Sequence, residues 1–161
     1  MTFRTGAWVL ALAAAPLFAQ GGDAAKGQAL AESSGCLNCH RAGDKGSRMG
    51  PNFSNIGERR APERLQRSIV APDEEVLPEN RFVDVSLKDG TIIRGRLLNH
   101  DALSVQLIDS KEQLRSFQTA NLREYTILDK GLMPSYEKRL SAQQVADIVA
   151  WLSSLKGADQ P

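Results

Sequence analysis

The hydrophobic residues of this 161-residue chain recur at two different spacings. Helical spacing towards both ends predicts helices there, and alternation in the middle predicts strands. The clearest helical pattern lies near the C-terminus, behind Ser141 and Gln144, which together form a capping-box pair. The apolar positions that recur there at helical spacing are Val145, Ile148, Val149, Leu152 and Leu155. The pattern predicts a core helix that ends with Gly157 just beyond its last turn.

Two more helices are predicted in the N-terminal half. Asp23 is a good N-cap, and the helix behind it is expected to stop at Ser33-Ser34-Gly35. Gly27 lies inside this helix, where glycine costs about 1 kcal/mol relative to alanine. Either another helix approaches closely at Gly27, or the helix is an ordinary weak one. Pro62 suits the first position of the other helix, which is expected to stop at Pro72.

In the middle of the chain the period changes to two, which predicts about five short strands. Asp89-Gly90 is a strong hairpin turn, and a second turn is expected at Asn99-His100-Asp101. The predicted strands cover residues 83–87, 92–98, 103–108, 114–117 and 122–128. Such strands can close into a small antiparallel β-barrel, and the spacing resembles the SH3-like or Sm-like pattern.

The N-terminal residues 1–19 are typical of an export signal. Arg4 supplies the positive charge, residues 7–18 are apolar, and the small residue Ala19 suits cleavage. The apolar run is shorter than the roughly 20 residues that a membrane helix needs, so a cleaved signal is favoured over a retained anchor. We therefore expect a periplasmic product without a stable membrane span.

The charge balance gives no support for binding nucleic acid or anionic lipid. The chain has 20 basic and 19 acidic residues, for a formal net charge of +1. The RNA-binding role of Sm-like barrels is therefore not expected here, least of all in an exported protein.

The chemistry of the chain is concentrated in Cys36-Leu37-Asn38-Cys39-His40, which contains both of its cysteines. Zinc would need further soft or imidazole ligands, and the other histidine is His100. A thioredoxin-type pair would need a βαβ context, and a local disulfide would leave His40 without a role. Cys-x-x-Cys-His is the attachment pattern of c-type haem, in which each thiol joins a vinyl group and the histidine binds iron.

This motif and the two terminal helices resemble class I cytochromes c. The resemblance implies that Gly27 permits a close crossing of the first and last helices, where the aromatic Trp151 packs. Gly50-Pro51-Asn52-Phe53 is similar to the Gly-Pro-x-Leu segment of that family. It implies that the Pro51 carbonyl accepts a hydrogen bond from the second ring nitrogen of His40.

The sixth iron ligand is predicted from the same resemblance. Met133, in Gly131-Leu132-Met133-Pro134, is similar to the Met-Pro segment that supplies this ligand in many small cytochromes c. His100, or no protein ligand at all, is the alternative. Met49 is interpreted as loop packing.

Met133 is unusually far from the motif along the chain, which predicts that residues 73–130 are an inserted β-barrel module. Residues 20–72 and 131–161 would then form the cytochrome c domain. The expected class is a mainly α cytochrome c fold with an inserted small antiparallel barrel, α+β overall. The arrangement resembles the haem-binding domain at the C-terminus of membrane-bound PQQ-type dehydrogenases.

The resemblance implies a periplasmic electron carrier with one covalent haem c, and not an enzyme. A PQQ-type dehydrogenase is the expected donor, and a terminal oxidase or another cytochrome the acceptor. The alternative function is a haem-based sensor or peroxidase-like enzyme with an open sixth position. The insert is interpreted as a docking module that adds to electron transfer.

Overall fold

The structure, a computed structural model, describes residues 21–157. The export signal predicted over residues 1–19 lies outside the described residues. Within them, the helices are α1 Ala24–Ser33, α2 Ile56–Arg59, α3 Pro62–Val70 and α4 Ala142–Ser154. No helix of residues 21–157 has the length and apolar character needed to cross a bilayer.

Helices α1 and α4 start at the positions predicted from their capping residues. The Asp23 carboxylate accepts hydrogen bonds from the backbone N–H groups of Ala25 and Lys26. At the start of α4, Ser141 and Gln144 form the reciprocal capping box. These bonds satisfy N–H groups that have no partner within the helix.

The predicted end of α4 is wrong in its detail. The helix stops at Ser154, and Leu155 is in an extended conformation, so Gly157 does not cap the helix in the left-handed conformation. Instead the Gly157 N–H donates to the Ser54 carbonyl oxygen at 2.9 Å. This hydrogen bond connects the segment after α4 to the loop that precedes α2.

The four helices enclose one hydrophobic cluster. Trp151 is buried in it, edge-on to Phe53, with 6.1 Å between ring centroids. The buried members are Ala31, Ile56, Leu65, Ile69, Tyr136, Val145, Ile148, Val149, Trp151 and Leu152. They come from α1 to α4 and from the loop before α4, so this cluster fixes the helices around the candidate site.

The five longer strands match the predicted set with one shifted turn, whereas the short hairpin after the cysteine motif was not predicted. A short hairpin follows His40, and five longer strands follow α3. The strands are β1 Arg41–Ala42, β2 Lys45–Gly46, β3 Phe82–Leu87, β4 Ile92–His100, β5 Ser104–Asp109, β6 Leu114–Gln118 and β7 Leu122–Ile127. Strand β4 continues through Asn99 and His100, so the turn begins at Asp101, whose carboxylate accepts from the N–H groups of Leu103 and Ser104.

The five longer strands form an antiparallel sheet in the order β6-β5-β4-β3-β7. Among residues 21–157, no pairing joins β6 to β7, so the sheet is not closed into the ring of paired strands that the pattern predicted. The chain as described is α+β: four helices beside a mostly antiparallel sheet.

The sheet has its own hydrophobic cluster, separate from the helical one. Its buried members are Val83, Val85, Leu97, Val105, Leu107 and Leu122. They alternate along their strands, as expected for a sheet with one buried face. The period-two pattern therefore identified Val83, Val85, Val105 and Leu107 as core residues, whereas Leu103, expected on the same face, is exposed.

Candidate functional site

A tight turn at the end of α1 carries the two cysteines and the histidine. Gly35 has φ 79°, the left-handed conformation that glycine adopts without steric cost, and it leads into a 3-10 turn over Cys36–Asn38. The Cys36 carbonyl oxygen accepts hydrogen bonds from the N–H groups of both Cys39 and His40. One acceptor thus fixes all three side chains of the motif to a single turn.

The two thiols are not joined to each other. Cys36 is half-buried and Cys39 is exposed. Burial, opposed in part by hydrogen bonding, raises the pKa of the Cys36 thiol. Both sulfur atoms are therefore available for bonds to a cofactor.

The His40 ring is buried, with 8% of its surface exposed. Burial lowers the pKa of His40, because the charged form loses its hydration. Its Nδ1 lies 2.9 Å from the Pro51 carbonyl oxygen. A carbonyl oxygen only accepts, so Nδ1 carries the proton and Nε2 keeps a free lone pair. This is the tautomer that binds a metal through Nε2, and the Pro51 contact is the one that the resemblance implied.

Two neighbours fix the orientation of the His40 ring. Phe53 stacks on it, with 4.2 Å between centroids and 13° between planes. Gly50 passes so close that a Cβ there would lie 2.7 Å from the His40 Cε1 and Nδ1 atoms. The Gly50 N–H also donates to the Cys39 carbonyl oxygen at 2.6 Å. The loop from Gly50 to Phe53 thus contacts the ring at one edge and one face.

Met133 packs, half-buried, against the helical cluster that Cys36 and Leu37 also contact. The chain behind it is fixed at two points. Ser135 Oγ donates to the Val70 carbonyl oxygen at 2.5 Å, and the Tyr136 N–H donates to that of Ile69 at 3.1 Å. These bonds hold the Met133 segment to the end of α3.

Tyr136 links the same segment to the motif. Its hydroxyl donates to the Ser34 carbonyl oxygen at 3.2 Å, two residues before Cys36. Burial raises the pKa of Tyr136, so the hydroxyl keeps its proton for this bond. Met133, three residues earlier, is therefore carried by a segment that contacts both α3 and the haem motif.

The other two candidate ligands lie elsewhere. His100 ends β4 at the surface, with its ring 6.3 Å from that of Tyr125 in the sheet. Met49 is a half-buried loop residue whose N–H donates to Ser47 Oγ. Of the three, Met133 is the one packed on the helical cluster.

The sequence did not reveal the roles of Phe53, Gly50 and Tyr136. The signal for Phe53 was its place in the Gly-Pro-x-Leu-like segment, where an aromatic residue replaces leucine. Nothing in the periodicity marked Tyr136, because its partner Ser34 is 102 positions away. Contacts of this separation become visible only once the helices are packed.

The described residues fit a c-type haem and offer no competing metal site. Two free thiols, a histidine with its Nε2 lone pair free, and apolar surroundings meet at one turn. Within residues 21–157, no group of three or more histidine, cysteine and acidic side chains could hold a metal ion.

The family comparison agrees with this geometry. The model of the cytochrome c family matches residues 24–84, which include α1, the motif, α2, α3 and the start of β3. The match supports a c-type cytochrome, and with Cys36 and Cys39 in the attachment pattern it identifies covalently attached haem c as the cofactor. The matched range ends before Met133 and α4. No curated protein matches the chain at a significant level.

Proposed function

We propose that the chain is a periplasmic electron-transfer protein with one haem c, attached through Cys36 and Cys39 and ligated by His40 and Met133. The observation that carries the proposal is the hydrogen bond between His40 Nδ1 and the Pro51 carbonyl oxygen. It fixes the ring and leaves Nε2 free at a histidine that directly follows the two thiols. When bound, the haem iron takes up and releases one electron.

Each residue of the site has a distinct task in this proposal. Cys36 and Cys39 form the two thioether links, and His40 presents Nε2 from one side. The Pro51 carbonyl increases the electron density of the His40 ring through its hydrogen bond. Met133 supplies an uncharged, polarizable sulfur, which together with burial favours the reduced state and a positive potential.

The second candidate function is a haem-based sensor or a peroxidase-like enzyme with an open sixth position. It requires Met133 to stay away from the iron. The hydrogen bonds of Ser135 and Tyr136 to α3 favour the carrier instead, because they hold the Met133 segment against the helical core. On this basis the chain itself transforms no substrate.

The sheet is proposed to be a curled, barrel-like docking module. Gln118 ends β6 and Leu122 begins β7, although these strands form opposite edges. A flat sheet of this many strands is about 19 Å wide. Even fully extended, the link between the two residues reaches only about 14 Å, which favours strong curling.

The proposed partners follow from the resemblance to the haem-binding domain of PQQ-type dehydrogenases. A PQQ-type dehydrogenase is the proposed donor, and a terminal oxidase or another cytochrome the acceptor. The predicted export signal, and the common occurrence of cytochrome c domains outside the cytoplasm, support the periplasm as the place where they meet.

Replacement of both cysteines tests haem attachment. The protein is expressed with a c-type maturation system, and covalent haem is detected by peroxidase staining after denaturing gel electrophoresis. The double variant Cys36→Ala/Cys39→Ala should lose the stain, because the chain has no other thiol. The single variants, which retain one thiol each, serve as controls for folding. A stained band from the double variant would contradict the proposal.

A further inference from the structure

A cavity of about 460 Å³ lies where the end of α2, the start of α3 and strand β4 meet. Its volume is typical of a site for a small molecule. Four arginines line it: Arg59, Arg60, Arg64 and Arg96. Pro51, whose carbonyl binds the His40 ring, also lines it, so the cavity lies beside the proximal histidine.

The lining carries an excess of positive charge. Glu79 is the acidic residue among the residues that line the cavity. Arg64 forms an ion pair with Glu75, and the Arg59 Nη2 donates to the Asn52 carbonyl oxygen at 2.9 Å. A carbonyl oxygen carries no full charge, and among residues 21–157 no carboxylate lies within ion-pair distance of Arg59, Arg60 or Arg96, so these three charges are not balanced by an ion pair.

Arg96 lines the same cavity and has a side-chain donor without a hydrogen-bond partner in the described part of the chain. Its Nε is fully buried and has no hydrogen-bond partner among residues 21–157. No carboxylate of the described chain lies within ion-pair distance of its guanidinium, whereas Arg94, two residues earlier, pairs with Asp84. Burial, and then the charge of Arg48, lower the pKa of Arg96. A guanidinium stays charged even so, and a buried, unpaired donor is destabilising.

We propose that this cavity binds a carboxylate group, with Arg96 of the sheet and Arg60 as its main donors. The planar guanidinium matches a carboxylate with two parallel hydrogen bonds. The carboxylate has two chemically equivalent sources: a propionate of the haem itself, or a small polycarboxylate from solution. The propionate source depends on the proposed function, whereas the free-anion source does not. In both cases the insert contributes a residue to the surroundings of the haem site.

The test compares Arg96→Gln with the control Arg123→Gln in the full chain matured with haem. Arg123 is an exposed residue of β7 that does not line the cavity, so both variants lose one charge from the sheet. Citrate binding is measured by titration calorimetry, and the propionate-bending band of the haem by resonance Raman spectroscopy. Arg60→Gln is the second cavity variant, for the case in which Arg96→Gln does not fold.

Two outcomes support the proposal. A free carboxylate is the occupant if citrate binds the unaltered protein and its affinity falls about tenfold or more in Arg96→Gln but not in Arg123→Gln. A propionate is the occupant if citrate does not bind but the propionate band shifts in Arg96→Gln and stays in Arg123→Gln.

The proposal is overturned if citrate does not bind and the band is the same in all variants. It is also overturned if both arginine variants change either signal equally. If the chain attaches no haem, the proposed function fails separately, and citrate titration of the purified protein still decides whether the cavity binds carboxylate.

Discussion

Gly27 in α1 and Asp147 in α4 are in backbone contact: a Cβ on Gly27 would lie 1.9 Å from the Asp147 carbonyl oxygen. The buried Asp147 carboxylate also accepts the Asp23 N–H at 2.8 Å and the Gln143 Nε2 at 2.9 Å. One residue of α4 therefore holds the start and the middle of α1. Because the turn at Cys36 follows directly from α1, this crossing sets the position of the haem motif.

Gly27→Ala should destabilise the protein. The added methyl group gains helix propensity worth about 1 kcal/mol, but it must push the α4 backbone away. Overpacking of this kind commonly costs about 1–3 kcal/mol, so we expect a net loss in the free energy of unfolding, measured by denaturant titration. Gly21→Ala, where nothing lies within 4 Å of the added atom, is the matched control. Equal stability of the two variants would contradict the close crossing.

Met133→Ala should remove the far-red charge-transfer band that methionine-ligated ferric cytochromes c display, and should lower the potential. The loss of an uncharged sulfur ligand destabilises the reduced state more than the oxidised one. Absorption spectra and redox titrations measure both effects. Met49→Ala is the matched control, since Met133 packs against the helical cluster and Met49 is not among the residues that do. Survival of the band in Met133→Ala, or its loss in His100→Ala, would show that the ligand is assigned wrongly.

Replacing residues 73–130 by a short Gly/Ser linker should leave a haem-binding, redox-active protein. The helices and the sheet have separate hydrophobic clusters, and Asp73 accepts the Gly131 N–H, so the two ends of the insert are adjacent. Doubling the length of the linker changes the free energy of loop closure by only about 0.6 kcal/mol. Electron transfer to the physiological partner, measured by stopped-flow kinetics, should slow.

A contact between the loop before Gly50 and the sheet provides the control for this deletion. Arg48, in the loop between the motif and Gly50, forms an ion pair and further hydrogen bonds with Glu112 at the turn after β5. Arg48→Ala in the full chain removes the ion pair and the hydrogen bond from the guanidinium, and it keeps the bond from the backbone N–H and the sheet surface. If the deletion variant cannot hold haem and Arg48→Ala can, the sheet is part of the haem-binding core rather than a docking module.

The sequence predicted those parts of the fold that depend on local chemistry. Asp23, Ser141 and Gln144 act on N–H groups within a few residues, so their capping roles could be inferred without knowing the fold. The alternating Val83 and Val85 likewise identified a strand with one buried face. Gly27 needed the resemblance as well, because glycine alone does not reveal which element approaches it.

Other features depend on residues brought together only by packing. The strand that contains Gly95 was expected to end before Asn99, but β4 continues to His100 because β5 offers pairing partners as far as Val105. The sequence pattern does not distinguish Arg96 from a solvated residue of a strand, and its place in a cavity lined by arginines from α2 and α3 has no local signal. Closure of the sheet likewise depends on the twist between strands, which the period-two pattern does not record.

The most direct test of the central claim is an optical redox titration of the full chain, purified after expression with a c-type maturation system. The protein should carry one covalent haem whose spectrum changes reversibly along a single one-electron curve, with a positive midpoint potential. The sixth position should stay closed, so carbon monoxide should leave the reduced spectrum unchanged. A haem that binds carbon monoxide readily, or that does not cycle reversibly, would contradict the assignment of an electron carrier with His40 and Met133 as its ligands.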